Sequence, residues 1–273
     1  MTSESPPQLD EDLRPHKPTP QPVDEVVQPP RYGLEIVLVL GVSLGISAID
    51  SLINFADIQT QRGGFANATA TLNQAASPRA WVDLSYQLLS VANGVMPALL
   101  ALYVLSRCTR LPGFGIGLST ENLGRQVAQG LGLAAVIGIP GLGLVALARS
   151  LGVNADISAS GLADIWYRYP ILILDGIQNG VLEEIVMIGF LLTRLRQLDW
   201  TPMRAILVSA LIRGSYHTYQ GIGGFVGNFV MGAIFGYWFT RTRRVLPLVI
   251  AHSVIDIVSF VGYAALHNRV GWI

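Results

Sequence analysis

The chain has 273 residues, 51% hydrophobic and only 13% charged, with 18 basic and 18 acidic side chains in balance. That charge content is about half the soluble norm, and the mean hydropathy is +0.47. Together these exclude an ordinary soluble domain and leave no basic surface for nucleic acid. A single cysteine, Cys108, excludes an internal disulfide and any multi-cysteine zinc site.

Residues 1–30 are rich in proline and acid and poor in large apolar side chains. Such a segment cannot bury enough surface to order itself, so a disordered cytoplasmic tail is expected. It lacks the basic start, apolar middle and small-residue end of a secretory signal. His16 falls within it and is given no role.

Residues 31–273 read as one membrane-embedded helical domain. About 20 apolar residues cross the hydrocarbon core as a helix. On that measure the spans run over 33–55, 82–106, 126–148, 170–193, 203–220, 224–240 and 246–266. The expected fold class is therefore all-α, a polytopic membrane bundle of about seven (six to eight) helices. The last three spans are short and closely spaced, so one of them is a candidate for a tilted, broken or re-entrant segment.

Basic residues set the orientation. With the N-terminus inside, the inside segments carry Arg14, Lys17, Arg31; Arg107, Arg110, Arg125; Arg194, Arg196, Arg204; and Arg241, Arg243, Arg244. The outside segments hold only Arg62, Arg79, Arg149, Arg168 and Arg269. This predicts a cytoplasmic N-terminus in a plasma membrane, taken as bacterial, with 57–80 as an external polar loop.

A charged side chain at mid-membrane costs about 2.5–3.5 kcal/mol on insertion scales, so each is a functional candidate. Those best centred are Asp50, Asp175, Glu183, Glu184, Arg213, His217, His252 and Asp256, with Asn54, Asn179 and Asn228 beside them. Glu35, Asp83 and Arg168 stand close enough to span ends to snorkel, and His267 reads as interfacial. Asp175, Asn179 and Glu183 are four apart and share one helix face. Glu184 is turned by about 100° from Glu183. Arg213 with His217, and His252 with Asp256, repeat the four-residue spacing. Three polar faces on successive helices are expected to converge on one hydrated cavity.

A carboxylate in such a site suits the role of general base for water. Histidines there polarise a carbonyl or stabilise an oxyanion. Glu183, His217 and His252 also make up a set of ligand types found at catalytic zinc, so zinc and metal-free chemistry both stay open.

Three motifs lie in order on these segments: EEIVMI at 183–188, RGSYH at 213–217 and HSVID at 252–256. They resemble the CPBP family, the CAAX-protease and bacteriocin-processing (Abi) intramembrane proteases. Its pattern is E-E-x-x-x-R, then F-x-x-x-H, then H-x-x-x-N or H-x-x-x-D. The likeness covers about 165–265. It implies a membrane-embedded endopeptidase, CAAX prenyl endopeptidase-like and of glutamate type or metalloprotease type, acting on a membrane-associated peptide or protein. By the resemblance, Glu183 and Glu184 activate water, His217 and His252 assist, and Asp256 orients His252 or completes the site, with Asn179 in support. Two positions depart from the pattern. Ile188 stands where the family has arginine, and Arg213 where it has an aromatic residue. Arg213 is expected to supply from the next helix the charge missing at 188, with Glu184 as its partner.

Two other classes of function fit the same residues. One is a catalytically inactive scaffold or immunity protein of the same fold; the other is a proton-coupled transporter, disfavoured because the halves show no internal repeat.

Overall fold

The computed structural model describes residues 31–107 and 112–266. The expected N-terminal tail with His16, and also Cys108 and His267, lie outside the described residues.

The first expected span is broken in two. α1 (Tyr32–Gly41) and α2 (Leu44–Thr60) meet at a 53° bend. Gly41 and Ser43 flank the break, and Ser43 Oγ donates to the Val39 carbonyl at 2.5 Å. A side chain bonded back onto the preceding turn competes with the helical ladder and bends it. α2 then runs on to Thr60, several residues beyond the expected end.

α3 (Ala80–Ser106) and α4 (Leu123–Ser150) are long apolar helices that keep Pro97 and Pro140 inside them, as membrane helices tolerate. The fourth span is one continuous run of three parts. α5 (Arg168–Glu183) passes into a π-helical segment, Glu184–Phe190, and then into α6 (Leu191–Gln197). α7 (Pro202–Tyr216) begins with Thr201 as N-cap and Pro202 in its first turn, a helix-start pairing with a clear reason: the cap satisfies a free N–H and proline has none to lose. A short 3₁₀ turn, Thr218–Gln220, leads through Gly221 into α8 (Ile222–Thr242), and α9 (Leu246–Leu266) closes the order.

Four of these helices, α3, α4, α8 and α9, are each long and apolar enough to cross a membrane, and the bent α1–α2 pair makes a fifth. The two remaining expected spans, α5–α6 and α7, do not meet that measure among the described residues. They carry much of the polar set, while His252 and Asp256 lie on α9. The protein is thus an integral all-α membrane bundle.

Outside the helices, β1 (Thr69–Thr71) pairs in parallel with β2 (Asp156–Ser158), Thr69 opposite Asp156. Ala155 donates from its backbone to Gln220, and Ile222 to Val153, so the ribbon is stitched to the turn between α7 and α8. Segment 57–80 is therefore only in part the expected polar loop.

Two of the three residues expected to snorkel, Glu35 and Asp83, are instead tied inward. Glu35 pairs with buried Arg194 at 2.6 Å, and Arg194 also donates to the Val104 carbonyl and stacks 5.0 Å from the Tyr32 ring. Asp83 is buried, accepting from Tyr167 Oη at 2.8 Å and from the backbone of Ala76 at 2.6 Å. Arg168 is buried, 3.8 Å from Asp164. For Glu35 and Asp83 a nearby partner or turn replaces the water that a snorkelling head group would seek, whereas Arg168 reaches toward Asp164, which is 92% exposed.

The main core surrounds the π segment. Ile185, Val186, Met187, Ile188 and Phe190 are all buried there. α5 packs on α9 through Gly176 and Gly180: a Cβ on Gly176 would come 2.8 Å from Ile257 Cγ1, and one on Gly180 2.9 Å from Ser253 N. Small residues four apart let two helix backbones approach closely in this way. That approach is what brings the motif residues of α5 and α9 together.

Candidate active site

Arg213 stands at the centre of the polar set. Its side chain has 0% exposure, as does that of Glu184. Nη2 of Arg213 is hydrogen-bonded to Glu184 Oε1 and lies 3.1 Å from Glu183 Oε2 and 3.0 Å from His252 Nδ1. Nη1 donates to Glu184 Oε2 at 3.4 Å. The Phe235 ring lies 5.6 Å from the guanidinium carbon and closes off the other side. The expected partnership of Arg213 with Glu184 is present, and Glu183 shares it. Ile188 sits fully buried among apolar neighbours.

Local structure explains the convergence. Ser209 and Arg213 are one turn apart on α7, and Ser209 Oγ donates to the Met187 carbonyl of the π segment at 2.8 Å. One face of α7 therefore satisfies both a carbonyl of the widened helix and its carboxylates. A π turn inside an α-helix often marks a functional site, and here it begins at Glu184 itself.

The two glutamates occupy different positions. Both oxygens of Glu184 are engaged, Oε1 by Arg213 and by His252 Nδ1 at 2.7 Å, Oε2 by Arg213. Glu183 receives Arg213 and the Tyr216 hydroxyl, the latter at 2.6 Å, on Oε2 alone. Its Oε1 accepts no hydrogen bond from the described residues. His217 Nε2 lies 3.8 Å from Glu183 Oε2 and has no hydrogen-bond partner among them. Nδ1 of His217 is 3.4 Å from Gln220 Nε2.

His252 Nδ1 faces both Arg213 and Glu184. An unprotonated Nδ1 accepts from the guanidinium, whereas a protonated one donates to the carboxylate. Asp256 lies 3.7 Å from His252 Nε2, beyond a hydrogen bond, and instead accepts from Asn179 Nδ2 at 2.9 Å. Asn179 thus joins the set through Asp256.

Other sequence candidates fall outside it. Asn228 donates back to the Gly224 carbonyl of its own helix. Asp175 is buried and makes no hydrogen bond to the set, and Asp50 and Asn54 face a separate cavity bounded by α2. Tyr216 and Gln220 were not singled out from sequence. Tyr216 stands three residues after Arg213, on the same helix face, and that spacing was the available signal.

Glu183, His217 and His252 do not fit a zinc site as arranged. Among the described residues no group of three or more His, Cys, Asp or Glu is placed to hold a metal ion. The guanidinium of Arg213 already lies against Glu183, Glu184 and His252, and a second cation there would meet like charge.

Residues 165–258 match the family described as Type II CAAX prenyl endopeptidase Rce1-like. The matched segment holds all three motifs and agrees with the resemblance to CAAX proteases. No curated protein and no solved structure matches the chain significantly.

Proposed function

We propose that this membrane protein, whose residues 165–258 match the Rce1-like CAAX prenyl endopeptidases, is an intramembrane endopeptidase that hydrolyses a membrane-associated peptide with glutamate-activated water. The observation that carries the reading is the asymmetry of the two carboxylates. Glu184 is committed on both oxygens, whereas Glu183 takes its hydrogen bonds on Oε2, 3.8 Å from a His217 Nε2 that has no hydrogen-bond partner among the described residues.

In this reading Glu183 is the general base. It takes a proton from water as the water oxygen bonds to the scissile carbonyl carbon. A protonated His217 Nε2 donates to the oxyanion that develops. Collapse breaks the C–N bond, and the proton on Glu183 passes to the leaving amine. Glu184 holds Arg213 and His252 in place, and Arg213 and Tyr216 orient Glu183 by bonding its other oxygen. Asp256, held by Asn179, lies on the far side of His252 and completes the charge balance. The N-terminus is taken as cytoplasmic and the protein as integral to a bacterial plasma membrane.

The test is a library of membrane-anchored peptides, prenylated and not, incubated with purified protein and with Glu183→Gln, with products read by mass spectrometry. Cleavage that disappears in the variant is expected. Cleavage absent from both proteins would return the protein to the scaffold or immunity class. Stoichiometric metal in the wild type that is lost in His217→Ala would overturn the metal-free scheme.

A further inference from the structure

His217 is the C-cap of α7, where the helix gives way to the 3₁₀ turn Thr218–Gln220. Its two ring nitrogens face different groups. Nε2 is buried, lies 3.8 Å from Glu183 Oε2 and has no hydrogen-bond partner among the described residues. Nδ1 lies 3.4 Å from Nε2 of Gln220, three residues further on. A buried polar atom left without a partner calls for an explanation, and a catalytic role is one.

The two neighbours decide which nitrogen carries the proton. A neutral imidazole has one N–H donor and one bare acceptor nitrogen. A carboxylate only accepts, so a bare Nε2 turned toward Glu183 would be repelled, whereas an Nε2–H is attracted. The proton therefore belongs on Nε2, and Nδ1 is left to accept. The Gln220 amide supplies the donor there. Its Nε2 carries two N–H groups, one for His217 Nδ1 and one for Tyr219 Oη at 2.9 Å. The backbone that carries this amide is held on both sides. The Gln220 N–H donates to the His217 carbonyl at 3.1 Å, and its carbonyl accepts from the Ala155 N–H at 2.9 Å, next to β2. Gly224 of α8 packs so closely that a Cβ on it would come 2.7 Å from Gln220 Cβ.

We infer that Gln220 is a positioning residue whose amide holds His217 in the Nε2–H tautomer, so that the ring presents a ready N–H donor beside Glu183 to the substrate oxyanion. The proton's place on an imidazole is set by the hydrogen bond that its other nitrogen makes. With Gln220 in place, no proton has to move onto Nε2 before His217 can donate. Gln220 makes no hydrogen bond to Glu183 or Glu184 and acts through His217. The oxyanion rests on the endopeptidase reading, whereas the tautomer stands on the geometry alone.

The experiment reads the tautomer by nitrogen NMR on the full-length protein in lipid nanodiscs, with isotope-labelled histidine. His217 is assigned by the signals that vanish in His217→Asn. The wild type is expected to show a protonated, pyrrole-type Nε2 and a bare, pyridine-type Nδ1. In Gln220→Glu the new carboxylate accepts instead of donating, so the proton is expected on Nδ1. Gln220→Leu removes the donor and should leave a mixture of the two tautomers. Unchanged His252 signals show that each variant is folded. A proton on Nδ1 in the wild type, or an unchanged tautomer in both variants, overturns the inference whatever the catalysis shows. Cleavage of membrane-anchored peptides tests the consequence. In Gln220→Leu kcat is expected to fall by about tenfold, less than the loss of a whole oxyanion donor, with KM close to wild type. An unchanged kcat with a shifted tautomer overturns the positioning role. The expected tautomer in a wild type that cleaves no peptide keeps Gln220 as the residue that sets His217 and sinks the peptidase reading.

Discussion

Arg213 on α7 and Glu184 at the start of the π segment form an ion pair in which both side chains are fully buried. The pair joins two of the three helices that bring the polar set, with His252 and Asp256 coming from α9. Removing one partner of a buried pair leaves an uncompensated charge and costs about 3–5 kcal/mol. Arg213→Met should therefore destabilise the protein by that order in denaturant unfolding in micelles. Ile188→Arg alone should also destabilise, since it adds a second buried cation. Ile188→Arg combined with Arg213→Phe restores the family's arrangement and should be more stable than either single change. Strictly additive effects would show that positions 188 and 213 do not exchange one charge.

Tyr216 lies where the site meets the neighbouring cavity. Tyr216→Phe keeps the ring and removes only the hydroxyl that donates to Glu183. A lost buried hydrogen bond of this kind costs about 1–3 kcal/mol. The expected result is a modest drop in melting temperature with a larger drop in peptide cleavage. Activity equal to wild type would show that the hydroxyl does not orient the base.

The α5–α9 contact offers a test remote from charge. A methyl group on Gly180 would press on Ser253 N and on the Val249 carbonyl, both 2.9 Å from the new Cβ. Overpacking costs about 1–3 kcal/mol, and relief would move His252 away from Glu184. Gly180→Ala is expected to lower both stability and cleavage. Gly262→Ala, on the same helix pair but with no atom within 4 Å, serves as the comparison and should leave both close to wild type.

Glu35 tests how the bent first span is held. Glu35→Ala strips Arg194, 1% exposed, of its carboxylate at 2.6 Å. The guanidinium keeps Val104 and Gln197, so a loss of about 1–3 kcal/mol is expected, localised to α1. Limited proteolysis near residues 31–43 should accelerate. Unchanged protection there would show that apolar packing alone seats α1.

Much of this protein was legible locally. Hydrophobic blocks marked nearly every helix, because burial in lipid demands length and apolarity residue by residue. The four-residue spacings of Asn179 with Glu183, Arg213 with His217, and His252 with Asp256 put these groups on shared faces by helical period alone. The sequence by itself thus determined the membrane bundle, the polar faces and the residues that meet.

Only the tertiary structure decided how they meet. A helix's rotation about its own axis, and its closeness to a neighbour, depend on non-local fits such as Gly180 against Ser253. The π segment adds a second reason. It departs from the 3.6-residue period at Glu184, so spacing cannot say which way residues 184–190 turn. For that reason Glu184 is sealed against Arg213 and His252 while Glu183 takes Arg213 and Tyr216 on one oxygen. Asp256 answers to Asn179 rather than to His252, and Asp50 faces a cavity whose far wall, Tyr216, lies more than a hundred residues away in the chain.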